Sequence, residues 1–189
     1  MRVLSSHWRF CYLMIFIVWL GTSCKSSKLI TDASSARNKE FRGSLKEQYA
    51  AVLEVSPREI KNEKLYKFID EWMGVNHVTG GKDKSGIDCS GFTALLEKEI
   101  FDRALPRTAT QMAEVVKRKF EDELLEGDLV FFDFNGKRFS HVGVYLLNGR
   151  FVHVSTGKGV IVSNLKDSWY YKYFSRGGTV KGSSVISRQ

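Results

Sequence analysis

Hydrophobic and polar positions change period along the chain. Residues 10–20 are apolar without a break, and the stretch that follows, to about residue 43, is polar, rich in Ser and Lys and unpatterned. Residues 45–55 are compatible with a helix. Across 63–73, Leu65, Phe68, Ile69 and Trp72 recur at i, i+3, i+4 and i+7, the stripe of an amphipathic helix, which Gly74 ends. A Gly-rich loop follows (79–86). Asp88 is then placed to cap a helix whose inward face is Phe92, Leu95, Leu96 and Ile100. Residues 108–120 give a third helical pattern through Met112, Val115 and Val116. After Gly127 the period shortens. Residues 128–134, 140–147 and 150–155 are short β-branched and aromatic runs separated by Asn135-Gly136 and Asn148-Gly149, and 159–163 adds a further strand. Helices followed by an antiparallel meander predict an α+β domain over about 48–178, with N-terminal helices packed on the sheet. The tail after Arg176 is expected to be loose, and the domain boundary is set at 178, leaving 179–189 outside it.

The apolar run of residues 10–20 is too short to span a bilayer, which takes roughly 20 residues, and suits the core of a signal peptide over 1–23. Gly21, Thr22 and Ser23 precede Cys24. Small residues before a cysteine resemble the lipobox of bacterial lipoproteins, although Gly21 stands where a lipobox usually carries Leu. The resemblance implies cleavage after Ser23 and acylation of Cys24, palmitate included, with residues 24–47 as a lipidated tether. Several acyl chains on one residue would hold the chain firmly at a membrane.

Charge narrows the partners. The 189 residues carry 29 Lys and Arg against 21 Asp and Glu, a net +8. Arg2 and Arg9 belong to the signal, leaving 27 basic against 21 acidic residues, about +6, on the remainder. These charges are scattered among acids rather than blocked, so no nucleic-acid footprint is visible. Attraction to an anionic polymer or membrane surface is compatible with them. A monomer is expected.

Of three cysteines, Cys11 leaves with the signal and Cys24 takes lipid, so only Cys89 remains as a thiol. A cysteine at a helix start, after a Gly-rich loop, is where unpaired N–H groups and the positive dipole end favour thiolate and an oxyanion. Alone, such a cysteine is commonly inert packing; the histidines change that. His141 and His153 lie on consecutive strands joined at Asn148-Gly149. A two-residue loop pairs Leu147 with Arg150 and puts the two rings on opposite faces. A three-residue loop with Gly149 left-handed, or an equivalent bulge, pairs Leu146 with Arg150 and puts them diagonally on one face. The second register is expected, because a cysteine nucleophile needs a base oriented by another polar side chain. One Cys and two His are also zinc-ligand types, but their spacing is unlike a chelating motif and no fourth ligand is apparent, so no metal or cofactor is expected.

Together the segments 72–81 (WMGVNHVTGG), 86–92 (GIDCSGF), 106–111 (PRTATQ), 127–132 (GDLVFF), 140–145 (SHVGVY) and 148–156 (NGRFVHVST) resemble the NlpC-type papain-like cysteine peptidases that cut bacterial cell-wall peptides. The resemblance implies Cys89 as nucleophile, His141 as general base and acid, and His153 as the residue that orients it. It implies that Asp88 and Ser90 shape the substrate site, and that Arg107, Thr108 and Gln111 line the groove. His77 stands where the family commonly has Tyr, in position to donate to a developing oxyanion, with a strength that would vary with pH. The family often carries a separate wall-binding domain, for which the expected domain plan leaves no room. The implied activity is hydrolysis of amide bonds in peptidoglycan stem or cross-link peptides. It would take place in the bacterial envelope from a lipid anchor, with the periplasmic side of the outer membrane as the expected location. The same machinery also serves an N-acetylmuramoyl-L-alanine amidase or an acyltransferase, and a non-catalytic wall-binding lipoprotein would keep the fold.

Overall fold

The computed structural model describes residues 43–182. The expected signal, the expected lipidation site Cys24, most of the expected tether and residues 183–189 lie outside the described residues.

Helix α1 (Leu45–Leu53) opens with a capping box: Ser44 Oγ accepts from the Glu47 N–H at 3.3 Å, and Glu47 Oε2 accepts from the Ser44 N–H at 2.7 Å. The folded unit thus begins a few residues before the expected boundary at 48. Helix α2 (Glu63–Trp72) is capped by Asn62 and buries Leu65, Ile69 and Trp72 of the predicted face, with Phe68 only half-buried and Tyr66, outside that stripe, fully buried. Two short strands, β1 (Lys82–Asp83) and β2 (Gly86–Ile87), pair within the Gly-rich loop and deliver the chain to helix α3 (Cys89–Phe101).

The third helical pattern departs from expectation. Helix α4 (Ala109–Glu114) stops after six residues, and β3 (Val116–Lys119) follows. Val115 and Val116 fit a helical stripe, but they are β-branched, and Val116 finds a partner in Val180, far along the chain. That partner belongs to β8 (Phe174–Val180), in the region expected to be loose. Far from fraying after Arg176, this strand sits inside the sheet between β3 and β4 (Leu129–Phe132). Its Arg-Gly-Gly centre hides the alternation that identifies a strand. The glycines have a packing reason: a Cβ on Gly178 would lie 2.3 Å from the Lys117 carbonyl oxygen.

With β5 (His141–Tyr145), β6 (Arg150–Ser155) and β7 (Gly159–Asn164), the sheet has six antiparallel strands in the order β3-β8-β4-β5-β6-β7. One face carries Leu129, Phe131, Val142, Val144, Val152 and Val154 against the helices. The other carries Val130, Phe132, Phe151 and Leu165, with Tyr170 and Tyr173 of helix α5 (Ser168–Tyr173) packed on them. Both faces are covered, which is why β4 reads as an unbroken apolar run.

Candidate active site

Asp88 builds the Cys89 end of the site. Its Oδ1 accepts from the Gly91 N–H at 2.7 Å, capping α3, and from Ser90 Oγ at 3.1 Å. Its Oδ2 accepts from the Gly80 N–H at 2.8 Å. Arg107 grips the same carboxylate with both terminal nitrogens, at 2.9 and 2.8 Å, and donates to Ser90 Oγ at 2.9 Å. Burial pushes the Asp88 carboxyl up. The Arg107 hydrogen bonds and the two backbone N–H groups outweigh that and hold it below the usual carboxylate range. Asp88, Ser90 and Arg107 are therefore one unit locking the Gly-rich loop to the helix start, with Asp88 committed to internal partners. Thr108 caps α4, donating to Gln111 Oε1 at 2.9 Å and accepting from the Gln111 N–H at 3.3 Å.

Cys89 is the first residue of α3 and is half-buried, its sulfur against the backbone N–H of Val142, the residue after His141 on β5. The expectation of a thiolate-favouring environment is not met. Burial pushes the thiol above its ordinary value and the neighbouring Asp88 charge adds to this, outweighing the N–H groups of Val142, Ser90 and Cys89 itself. The cap that builds the helix start places a negative charge beside the sulfur, so the free site holds a neutral thiol.

The hairpin adopts the register that unites the histidines. Val144 pairs with Val152 and Tyr145 with Phe151. Asn148 and Gly149 both have left-handed φ, 51° and 70°. The Arg150 N–H donates to the Leu147 carbonyl at 3.0 Å, while the Leu146 N–H donates to the Arg150 carbonyl at 2.8 Å. Leu146 and Leu147 thus share one partner across the ladder, a bulge with the same consequence as the expected three-residue loop. His141 and His153 come to lie diagonally on one face, with Nε2 of the first 2.8 Å from Nδ1 of the second. Gly143 makes this possible: a Cβ there would meet the Val152 carbonyl oxygen at 2.8 Å and His153 Cβ at 3.1 Å.

Three further residues define the imidazole pair, and sequence reading missed them all. His153 Nε2 lies 3.0 Å from Ser163 Oγ on β7, and Ser163 Oγ donates to Tyr170 Oη at 3.3 Å. Gly143 is the third. The β6–β7 register that aligns Ser163 was readable in principle from the short Gly-containing loop before Gly159, but α5 and Tyr170 gave no signal. If the Nδ1 of His141 is to accept a proton, its Nε2–H donates to His153 Nδ1. The Nε2–H of His153 then donates to Ser163, whose O–H donates to Tyr170. One set of tautomers satisfies every step. Rings enclose the pair: Phe132 and Phe134 lie 5.9 and 5.3 Å from His141, and Phe151 and Tyr170 lie 4.8 and 5.2 Å from His153.

Burial, then the charge of His77, pushes His141 down to about 4. Burial, then His141, pushes His153 well below the ordinary imidazole range. Both are neutral in the free site. His77 is half-exposed on a segment bridged to Ile87, two residues before Cys89, and its charge reaches His141. Among the described residues no group of three or more His, Cys, Asp and Glu is arranged to hold a metal ion.

A cysteine leading a helix that packs on an antiparallel sheet, with paired histidines on that sheet, defines the α+β papain-like class. Residues 74–178 match the NlpC/P60 family, and the chain belongs to it. It is 41% identical over 107 residues to the "Probable endopeptidase NlpC" of Escherichia coli (strain K12), covering 56% of this chain and 70% of that one. It is 36% identical over 126 residues to the murein DD-endopeptidase MepS/murein LD-carboxypeptidase of the same strain, covering 67% and 66%. An NlpC/P60 family protein from Bacillus cereus, known from its crystal structure, has the same fold, with a TM-score of 0.58 at 22% identity over 63% of this chain and 40% of that one.

Proposed function

We propose that the protein is a cysteine endopeptidase that hydrolyses amide bonds in peptidoglycan stem or cross-link peptides, held at a bacterial membrane by lipid on Cys24. The observation that carries this reading is the 2.8 Å contact between His141 Nε2 and His153 Nδ1, on the strand whose next N–H meets the Cys89 sulfur. His141 Nδ1 is the ring nitrogen that this contact leaves available.

The resting pair is thiol and neutral imidazole, so the proton moves as the sulfur attacks. Cys89 Sγ bonds to the scissile carbonyl carbon while its proton passes to His141 Nδ1. The carbonyl oxygen takes up negative charge at the start of α3, where backbone N–H groups are oriented, with the His77 side chain at the rim. The imidazolium at His141 is stabilised through its Nε2–H by His153, which Ser163 holds in the accepting tautomer. As the C–N bond breaks, His141 returns the proton to the departing amine. Water then attacks the thioester with His141 as base, and Cys89 leaves as the thiol. The murein activities named for the relatives point to wall peptides as the substrate.

Mass spectrometry of fragments released from purified sacculi tests the proposal. The wild-type protein is expected to release new peptide ends and the Cys89→Ala protein none. Equal release by both, or release by neither, refutes it. Loss of palmitate labelling in a Cys24→Ser protein tests the anchor separately.

A further inference from the structure

Beside the site lies a group of guanidinium charges that the proton chain does not use. Arg138, in the loop leading into β5, and Arg176, on β8, stand over the same ring, with Cζ atoms 4.7 and 4.6 Å from the centre of Phe139. Phe139 is buried and has φ 50°, a left-handed conformation uncommon for an aromatic residue. It is held there by Asp133 Oδ1, which accepts its N–H at 2.7 Å, and the loop is tied by Ser140 Oγ, which accepts from the Phe134 N–H at 2.9 Å.

The charge is unbalanced. Arg176 donates to the Ala113 carbonyl, but its Nε is buried without a partner. Among the described residues, the side chains of Arg118 and Arg138 make no hydrogen bond and no ion pair, and no carboxylate is paired with Arg176. Arg118 on β3 lies opposite Gly178, two residues from Arg176 along β8, so the two arginines share one face of the sheet, and burial, then the charges of Arg138 and Arg118, lowers the proton affinity of Arg176. By register, Arg176 lies opposite Phe131 and Phe131 opposite Val142, all on the helix-covered face. Two strand spacings, about 10 Å, therefore separate Arg176 from the residue whose N–H meets the Cys89 sulfur. An extended peptide covers that distance in about three residues.

We propose that Arg118, Arg138 and Arg176 form a subsite for a free carboxylate of the wall peptide, about three residues' reach from the bond cleaved at Cys89. This rests on the functional reading above for the identity of the peptide. Stem peptides are anionic through their acidic residues and free C-terminus, and guanidinium forks match a carboxylate in shape and charge. Binding would supply the missing counter-charge.

Calorimetric titration of the Cys89→Ala protein with a purified tetrapeptide muropeptide, and with the same muropeptide fully amidated, tests this without turnover. The free acid is expected to bind at least tenfold more tightly than the amide at low salt. Adding Arg118→Gln and Arg138→Gln, both at exposed positions, is expected to remove that preference while the amide's affinity stays unchanged. Equal affinity for the two ligands overturns the subsite, as does a parallel loss for both. So does retained muropeptide preference with lost binding to phosphatidylglycerol vesicles, which would assign the arginines to a lipid headgroup. Carboxylate-dependent binding by a protein that cleaves no sacculi would leave the subsite standing and refute the peptidase reading.

Discussion

The electrostatics of Cys89 and His141 run against a preformed ion pair. Burial raises the thiol and pushes the imidazole down to about 4, so both protons lie on the neutral side in the free protein. Cys89 should therefore react with iodoacetamide at pH 7 more slowly than free cysteine, with the rate rising only in the alkaline range; a fast, pH-independent reaction would contradict this. Ser163 adds a second test at this scale. Ser163→Ala removes the acceptor that fixes the His153 tautomer and is expected to lower kcat by about tenfold, with KM little changed. Ser163→Thr, which keeps the hydroxyl, should recover most of the loss. The grouping of Cys89 with His141 and His153 was legible because one cysteine opens a helix and two histidines stand on neighbouring strands. The acidity of the thiol was not. It depends on how deeply the sulfur is covered and on the charge of the residue that caps its own helix, neither of which spacing reports.

Between elements, the site depends on the β5–β6 ladder. Only two short-loop registers compete at Asn148-Gly149, and only one puts both rings on a face, so chemistry selected what propensity could not. The detail differs, since the extra residue is Leu147, but the consequence is the same. Gly143 leaves no room for a side chain in that ladder. Gly143→Ala is expected to cost about 2–3 kcal/mol, by backbone shift against Val152 and displacement of His153. Urea unfolding measures the first effect, and activity should fall further than stability explains. Residues 116–119 and β8 were illegible for a shared reason. Each is a poor strand alone, one following a helical stripe and the other interrupted by glycines, and each is a strand only because the other supplies its ladder.

For the whole molecule, burying ionisable groups on both sides of the sheet produces opposing responses to acid. Glu97 is fully buried, and burial raises it to about 7; Arg103 at 3.1 Å partly offsets this, while the Asp128 charge adds to it. Its folded value lies above the unfolded one, so acidification from about pH 7 to 4.5 relieves a cost and favours the folded state. His141 has the reverse sign. Its folded value of about 4 lies below the unfolded 6.5, so stability is full above pH 6.5 and is lost as the pH falls towards 4. Between pH 7 and 5 the Glu97→Gln protein should therefore lose more melting temperature than the wild type, and His141→Asn less. Thermal unfolding at the two pH values checks both signs.

The strand order also sets when catalytic competence can arise. The helix that Cys89 opens is complete by Phe101, whereas β8 is the last strand among the described residues and occupies an interior place between β3 and β4. A chain that emerges N-terminus first, whether from the ribosome or from an export channel, cannot close the sheet until that strand follows. The wall-cutting chemistry proposed above would thus be silent until β8 is in place.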